Sequence, residues 1–319
     1  MTSTSPVSGD SVRRARPEPG GRRGGPAALA GGLLRAARPK QWTKNVLVFA
    51  APGAAGVLTH AGPLGRSVAA FAIFCAVSSG TYLLNDSVDV AADRVHPTKR
   101  SRPLAAGVVP VPLALVAAGT LLAAGVGASG LLGWRMTVTV ASYVAVQLAY
   151  SLWLKHEPVF DLACVATGFV LRAIAGGVAV PVPISEWFLI VAMFGSLMMV
   201  TGKRFAEHQS LGAGRGSHRS TLAAYSEAFL RGLLLASVAV AVTAYCLWAF
   251  EKERAAGHGD AIWYQLSIVP FVLGILRYAY LVDAGHGGAP EDVVLSDRAL
   301  QLVGLAWVVV FALGVYAAG

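Results

Sequence analysis

The stretch YLLNDSVDVAADRVHPTKRSRPLAAG, residues 82–107, ends one apolar run and begins a dense cluster of charge. The apolar run, about residues 66–86, is long enough to cross a bilayer as a helix. At its end stand Asn85, Asp86, Asp89, Asp93 and Arg94. On a helix turning about 100° per residue, Asp86, Asp89 and Asp93 fall within an arc of about 60°, so the spacing aims three carboxylates at one side. Carboxylates gathered at a poorly hydrated membrane face repel one another and call for a cation. Mg²⁺ suits that place, because it is commonly held by one or two carboxylates together with phosphate oxygens. The competing reading pairs the three aspartates with Arg94, Lys99, Arg100 and Arg102, which follow at once. Pro97 and Pro103 interrupt regular helix, so residues 96–103 are expected to form a cationic loop over the acidic helix. Its arginine forks and lysine point charges are the complement of a diphosphate.

The surrounding chain explains why such a cluster stands out. Of 319 residues, 55% are hydrophobic and only 13% charged, with mean hydropathy +0.59 and net charge +9. That charged fraction is roughly half the usual one and cannot cover a soluble protein of this size. The expected fold is therefore all-α, a polytopic membrane bundle. Nine stretches have spanning length: about 44–60, 66–86, 109–128, 134–154, 158–180, 186–202, 228–250, 262–282 and 299–318. Residues 1–28 form a basic tail expected to be disordered, preceding one integral domain over 29–319. Of the 26 Lys and Arg, only Arg66, Arg135, Lys252 and Arg254 fall on one side of this arrangement, and Arg172, Arg231 and Arg277 lie within spans. The other 19 share the side of the N-terminus, which places that terminus in the cytoplasm by the positive-inside rule. Topology and anionic lipid account for the positive charge, leaving no case for a nucleic-acid partner. Cys75, Cys164 and Cys246 have no metal-type spacing and read as packing residues.

Every other unusual polar cluster also lies on the cytoplasmic side. Between the fourth and fifth spans, Tyr150 and Lys155 precede Pro158, and Asp161 follows in the first turn of the next helix. Arg172 lies 11 residues further, about 16 Å deeper on the same face; it is expected to meet either a lipid phosphate or an acidic partner. Lys203, Arg204 and Glu207 leave the sixth span, and Lys44 and Asn45 open the first, behind Arg38, Lys40 and Trp42. The run of isolated positive-inside residues is the plain alternative for each basic group.

Taken together, Asn85-Asp86-x-x-Asp89-x-x-x-Asp93-Arg94 and Tyr150-x-x-x-x-Lys155 resemble the two signature regions of the UbiA-type intramembrane prenyltransferase superfamily. RPKQWTKNVLVFAAP (38–52), residues 82–107, YSLWLKHEPVFDLACVATGFVLRAIAGG (150–177) and MVTGKRFAEH (199–208) are similar to the branch that makes decaprenyl-phosphate phosphoribose in actinobacteria. Gly202-Lys203-Arg204-Phe205-Ala206-Glu207 stands where the wider superfamily has a second Asp-rich helix, which argues against a prenyl diphosphate donor.

The resemblance implies nine transmembrane helices around a central cavity and Mg²⁺ as cofactor. It implies 5-phosphoribose 1-diphosphate as donor and a polyprenyl phosphate as acceptor, at the cytoplasmic side of the plasma membrane, for cell-wall arabinan precursors. In that reading Asp86, Asp89 and Asp93 carry the metal, with Asn85 as neutral ligand. Lys99, Arg102 and Lys155 clamp the diphosphate, while Asp161 supports a second metal or the ribose. Lys44, Asn45, Tyr150, Arg172, Lys203 and Arg204 complete the substrate contacts, with Lys203, Arg204 and Lys44 as candidates for the 5-phosphate. Prenyl transfer to an aromatic acceptor and a transporter are the rival functions, and a homo-oligomer remains open.

Overall fold

The computed structural model describes residues 25–211, 220–256, 262–286 and 290–316. Among them there is no strand, in keeping with apolar segments that must satisfy every backbone group internally. Most of the tail expected at 1–28 lies outside the described residues. The chain opens with α1 (Pro26–Ala36), a 3₁₀ segment (Pro39–Phe49) and α2 (Ala50–Ala54). Next come α3 (Ala61–Val88), α4 (Val90–Val95), α5 (Val111–Ser129), α6 (Trp134–Leu152), α7 (Phe160–Ala179) and α8 (Glu186–Leu211). The remainder is α9 (Ser220–Ala224), α10 (Glu227–Ala256), α11 (Ile262–Leu266), α12 (Ile268–Leu281), α13 (Pro290–Ser296) and α14 (Arg298–Tyr316).

Among the described residues, seven helices are long and apolar enough to cross a membrane: α3, α5, α7, α8, α10, α14 and the run Ile262–His286. Two of the nine expected spans differ from this standard. The helix over 134–152 is present, but Thr139, Gln147 and Ser151 make it more polar because one side lines a cavity. Residues 44–60 do not form the expected continuous helix. They belong to a 3₁₀ segment of 11 residues followed by 5 α-helical ones, which together reach about 30 Å at 2.0 and 1.5 Å per residue. A 3₁₀ helix repeats every three residues, so Trp42, Asn45 and Val48 share one edge. Trp42 Nε1 donates to Ser79 Oγ at 3.0 Å, and Asn45 Nδ2 meets Ser78 Oγ at 3.3 Å. The edge packs so closely on α7 that a Cβ at Gly176 would fall on the Val48 carbonyl.

The spans differ in how much they are enclosed. In α3 and α7, 61% and 56% of the apolar window is buried, against 17% in α5 and α14. Thus α3 and α7 form the centre, and α5 and α14 expose their apolar sides as lipid-facing helices do. Valines and leucines of α8, α10 and α12 make one core; Phe74, Val77, Met136 and Tyr143 of α3 and α6 anchor another. At one end of the bundle, Arg66 donates to the carbonyls of Ala179 and Leu132, tying the ends of α7 and the α5 extension to the start of α3. At the other end the polar clusters converge.

Candidate active site

A cavity of about 580 Å³ opens at that end. Thr81, Tyr82 and Asn85 of α3, Asp93 of α4, and Lys99 and Arg102 of the following loop form one wall. Tyr143, Gln147 and Tyr150 of α6, then Lys155 and His156 of the next turn, form another. Phe169 and Arg172 of α7, Lys203 and Glu207 of α8, Lys44 of the 3₁₀ segment, and Arg38 complete it. Lys44, Asn85, Asp89, Asp93, Lys99, Arg102, Tyr150, Lys155, Arg172 and Lys203, from segments up to 159 positions apart, therefore meet as the sequence suggested. Asn45, Asp86, Asp161 and Arg204 do not line the cavity.

The expected single helix carrying three convergent carboxylates is corrected by the backbone. The α3 helix stops at Val88, and Asp89 sits in the break before α4 with φ −87° and ψ 2°. Cations sit among the three carboxylates, and Arg102 Nη1 bridges Asp86 and Asp93. Asp86, 2% exposed, accepts from Arg38 at 2.6 Å and Arg102 at 3.0 Å; Asp93 accepts from Arg102 at 2.7 Å. Asp89 accepts from Lys155 Nζ at 2.5 Å and Asn85 Nδ2 at 3.1 Å. The competing pairing with basic residues thus operates, chiefly through Arg102 and two residues distant in sequence. Arg38 reaches Asp86 from a left-handed backbone, φ 55°, with its guanidinium 4.9 Å from the Tyr82 ring centre.

Among the described residues no three His, Cys, Asp or Glu side chains form a metal cage. Mg²⁺ needs no such cage when a substrate supplies phosphate oxygens. Asn85 Oδ1 is buried with no hydrogen-bond partner among the described residues, and Asp89 and Asp93 share its wall. This donor set fits a hard divalent cation; Asp86 adjoins it outside the cavity lining, bonded to Arg38 and Arg102.

Asp161 and Arg204 form a separate network outside the cavity lining. Asp161 is fully buried; Tyr225 donates to its Oδ1 at 2.5 Å and Arg204 Nε to its Oδ2 at 3.3 Å. Arg204 also meets Glu207 at 3.1 Å. The Tyr225 hydroxyl accepts from the Val159 backbone N–H at 2.5 Å. Val159, a β-branched residue at φ 71° and ψ −48°, is in the rare, strained γ-turn region, so this turn is held by its surroundings. Burial, followed by the bond to Asp161, pushes the Tyr225 hydroxyl well above the ordinary tyrosine range. Tyr225 and Arg38 carried no signal in the sequence beyond ordinary loop and positive-inside residues, since their partners lie 64 and 48 positions away.

Arg172, 5% exposed, donates from Nε to Asn45 Oδ1 at 2.7 Å, from Nη1 to the Gly168 carbonyl at 2.7 Å and from Nη2 to Tyr143 at 2.9 Å. No acidic side chain is among its partners, so the acidic pairing weighed for it is not made. Asn45 serves Arg172 from behind the cavity wall.

The cavity as a whole is rich in positive charge. Arg38, Lys44, Lys99, Arg102, Lys155, Arg172 and Lys203 face Asp89, Asp93 and Glu207, seven cations against three carboxylates. The family model for the UbiA prenyltransferase family matches residues 46–300. A decaprenyl-phosphate phosphoribosyltransferase of Mycolicibacterium smegmatis is 45% identical over 302 residues, covering 92% of this chain and 95% of the relative. One of Corynebacterium glutamicum is 46% identical over 298 residues, 91% of this chain and 89% of the relative. A UbiA homologue from Archaeoglobus fulgidus, solved with GPP and Mg²⁺, shares the fold with a TM-score of 0.67 at 18% identity, over 89% of this chain and 98% of that one. By the extent of these matches, the chain belongs to the UbiA prenyltransferase family.

Proposed function

We propose that this chain transfers 5-phosphoribosyl from 5-phosphoribose 1-diphosphate to a polyprenyl phosphate, releasing diphosphate. One observation carries the choice of donor: the excess of cations extends along the cavity from Lys155 and Arg102 to Arg172, with Gln147 and Tyr143 between. A prenyl diphosphate would place negative charge at one end only and an apolar chain in the rest. A phosphorylated sugar diphosphate brings negative charge at both ends. The names of the relatives above support the same reading.

In this reading an acceptor phosphate oxygen attacks ribosyl C1 while the bond from C1 to the diphosphate oxygen breaks, its electron pair leaving with diphosphate. Lys155, Arg102 and Lys99 bind and orient the leaving group, and carboxylates near the ring favour the cationic character that develops there. Lys203 and Lys44 add positive charge for the third phosphate. The acceptor is already ionised at neutral pH, so alignment supplies much of the remaining rate. Asn85, Asp89 and Asp93 would hold Mg²⁺, which when bound neutralises charge on the diphosphate. Asp161 and Arg204 act from outside the cavity, holding the turn that bears Lys155. The basic residues around the cavity support a site on the cytoplasmic side, with the N-terminus on the same side, in a plasma membrane where the product serves cell-wall arabinan synthesis.

The test supplies membranes containing the chain with labelled 5-phosphoribose 1-diphosphate and decaprenyl phosphate, or with a labelled prenyl diphosphate and an aromatic acceptor. Label entering the lipid from the first pair alone is the expected result. Transfer from the second pair alone refutes the donor assignment.

A further inference from the structure

We infer that Arg172, with Tyr143 and Gln147, forms a phosphate-monoester subsite at the deep end of the cavity, distinct from the diphosphate end around Asp89 and Lys155. The inference rests on the functional reading above and deepens it. Its first support is uncompensated charge. Arg38, Arg102 and Lys155 each have a carboxylate partner, whereas the partners of Arg172 are an amide oxygen, a backbone carbonyl and a phenol. Aromatic faces surround it, with Tyr143, Phe169 and Phe74 centres at 4.7, 5.7 and 5.9 Å from Cζ. These contacts soften the cost of a cation within a membrane-spanning helix, but none neutralises it, and such a cation calls for an anion.

The second support is a count of donors. Guanidinium carries five N–H groups, and three are engaged. The two left over lie one on each terminal nitrogen, the fork that meets two phosphate oxygens at once. Tyr143 accepts from Arg172, which leaves its own O–H proton to give. The third support is proximity. A Cβ on Gly168 would lie 2.9 Å from Gln147 Nε2 and 3.4 Å from Arg172 Nη1, so this glycine lets the two donors close on one spot.

Depth follows from the bond to Gly168. The Arg172 side chain bends back toward the start of α7, as helical side chains do, and its fork lies near the level of residue 168. That is about 10 Å below Asp161 along the helix, so a sugar could lie between the two anion-binding ends. The monoester is either the 5-phosphate of the donor or the phosphate of the polyprenyl acceptor.

The experiment measures inhibition of transfer by ribose 5-phosphate, a short-chain polyprenyl phosphate and inorganic diphosphate, using full-length protein in nanodiscs. It compares wild type, Arg172→Lys and Gln147→Leu, with thermal unfolding of each. Gln147→Leu leaves the three hydrogen bonds of Arg172 in place and guards against misfolding of the first variant. The inhibition constant of at least one monoester is expected to rise about tenfold or more in both variants, as loss of a charge-assisted contact implies, while that of diphosphate changes less than about twofold. A rise for ribose 5-phosphate assigns the donor's phosphate, and a rise for the polyprenyl phosphate assigns the acceptor's. Equal weakening of all three ligands, no change in any, or a wild type that turns over without inhibition by either monoester overturns the subsite. Absence of phosphoribosyl transfer by the wild type instead overturns the functional reading, and the subsite with it.

Discussion

Tyr225→Phe removes one oxygen atom and separates holding the site from forming it. Asp161 is fully buried, and Tyr225 supplies one of its two side-chain hydrogen bonds, the other coming from Arg204. Removing a donor to a buried charged acceptor costs about 2 kcal/mol. The Val159 N–H also loses its acceptor, but that residue is exposed and water can take its place, so little is added. A lowering of Tm by roughly 3 °C corresponds to this loss in a chain of this length. Since α9 packs on the 154–156 turn, the Val159 turn is also expected to loosen around Lys155 and so weaken inorganic diphosphate inhibition more than it lowers kcat. The pH dependence has a definite sign. The hydroxyl's folded pKa is raised, so its contribution is whole below the free tyrosine value of about 10 and is lost as pH rises toward the folded one. The gap between wild type and variant is therefore expected to be constant from pH 6 to about 9 and to close above pH 10. Thermal unfolding across that range, paired with inhibition kinetics, provides the assay. A variant matching wild type in both Tm and diphosphate inhibition would refute the reasoning.

The two neighbouring aspartates are expected to behave differently when changed to asparagine. Asp86→Asn, beneath two arginines that are each about a quarter exposed, is expected to cost about 1–2 kcal/mol in unfolding measurements. Asp89→Asn is expected to leave Tm nearly unchanged but to reduce turnover about 100-fold or more in a transfer assay. Gly176→Ala forces a methyl group onto the Val48 carbonyl, and denaturation should register a loss of about 3 kcal/mol as the 3₁₀ segment is pushed off α7. Asp297 accepts from Arg277 at 2.6 Å and from the Leu300 N–H at 2.7 Å, and chiefly the Arg277 bond holds its carboxyl below the usual range. Its stabilisation is present above the ordinary carboxylate pKa and is lost as pH falls through the lowered one. A Tm series on Asp297→Asn should therefore show a deficit at pH 7 that disappears under acid conditions.

The helical class and most of the charged cavity-lining residues were legible because charge is expensive beside apolar spans. Asn85, Asp89, Asp93, Lys99, Arg102 and Lys155 stood out against their surroundings, and the structure brings them together. What one-dimensional periodicity missed was the break at Asp89, which turns Asp86 into a neighbour of arginines and leaves Asp89 at the cavity. The same limit applies to Arg204: beside Lys203 in sequence, it faces Asp161 because adjacent helical residues point about 100° apart. The winding of the first span was not legible because an apolar segment has the same composition whether it winds as 3₁₀ or α. Only its seams with Ser79 and Gly176 distinguish the two. Tyr225 and Arg38 act on partners far along the chain, which no local pattern encodes.

The central claim is that phosphoribosyl transfer takes place in this cavity with a divalent cation at Asn85, Asp89 and Asp93. Its most direct test is purified protein in nanodiscs with labelled 5-phosphoribose 1-diphosphate and decaprenyl phosphate, assayed with Mg²⁺ and after treatment with excess EDTA. The account expects labelled polyprenyl-phosphate phosphoribose with Mg²⁺, none with the chelator, and recovery when Mg²⁺ is restored. Undiminished labelled product in excess EDTA would contradict it.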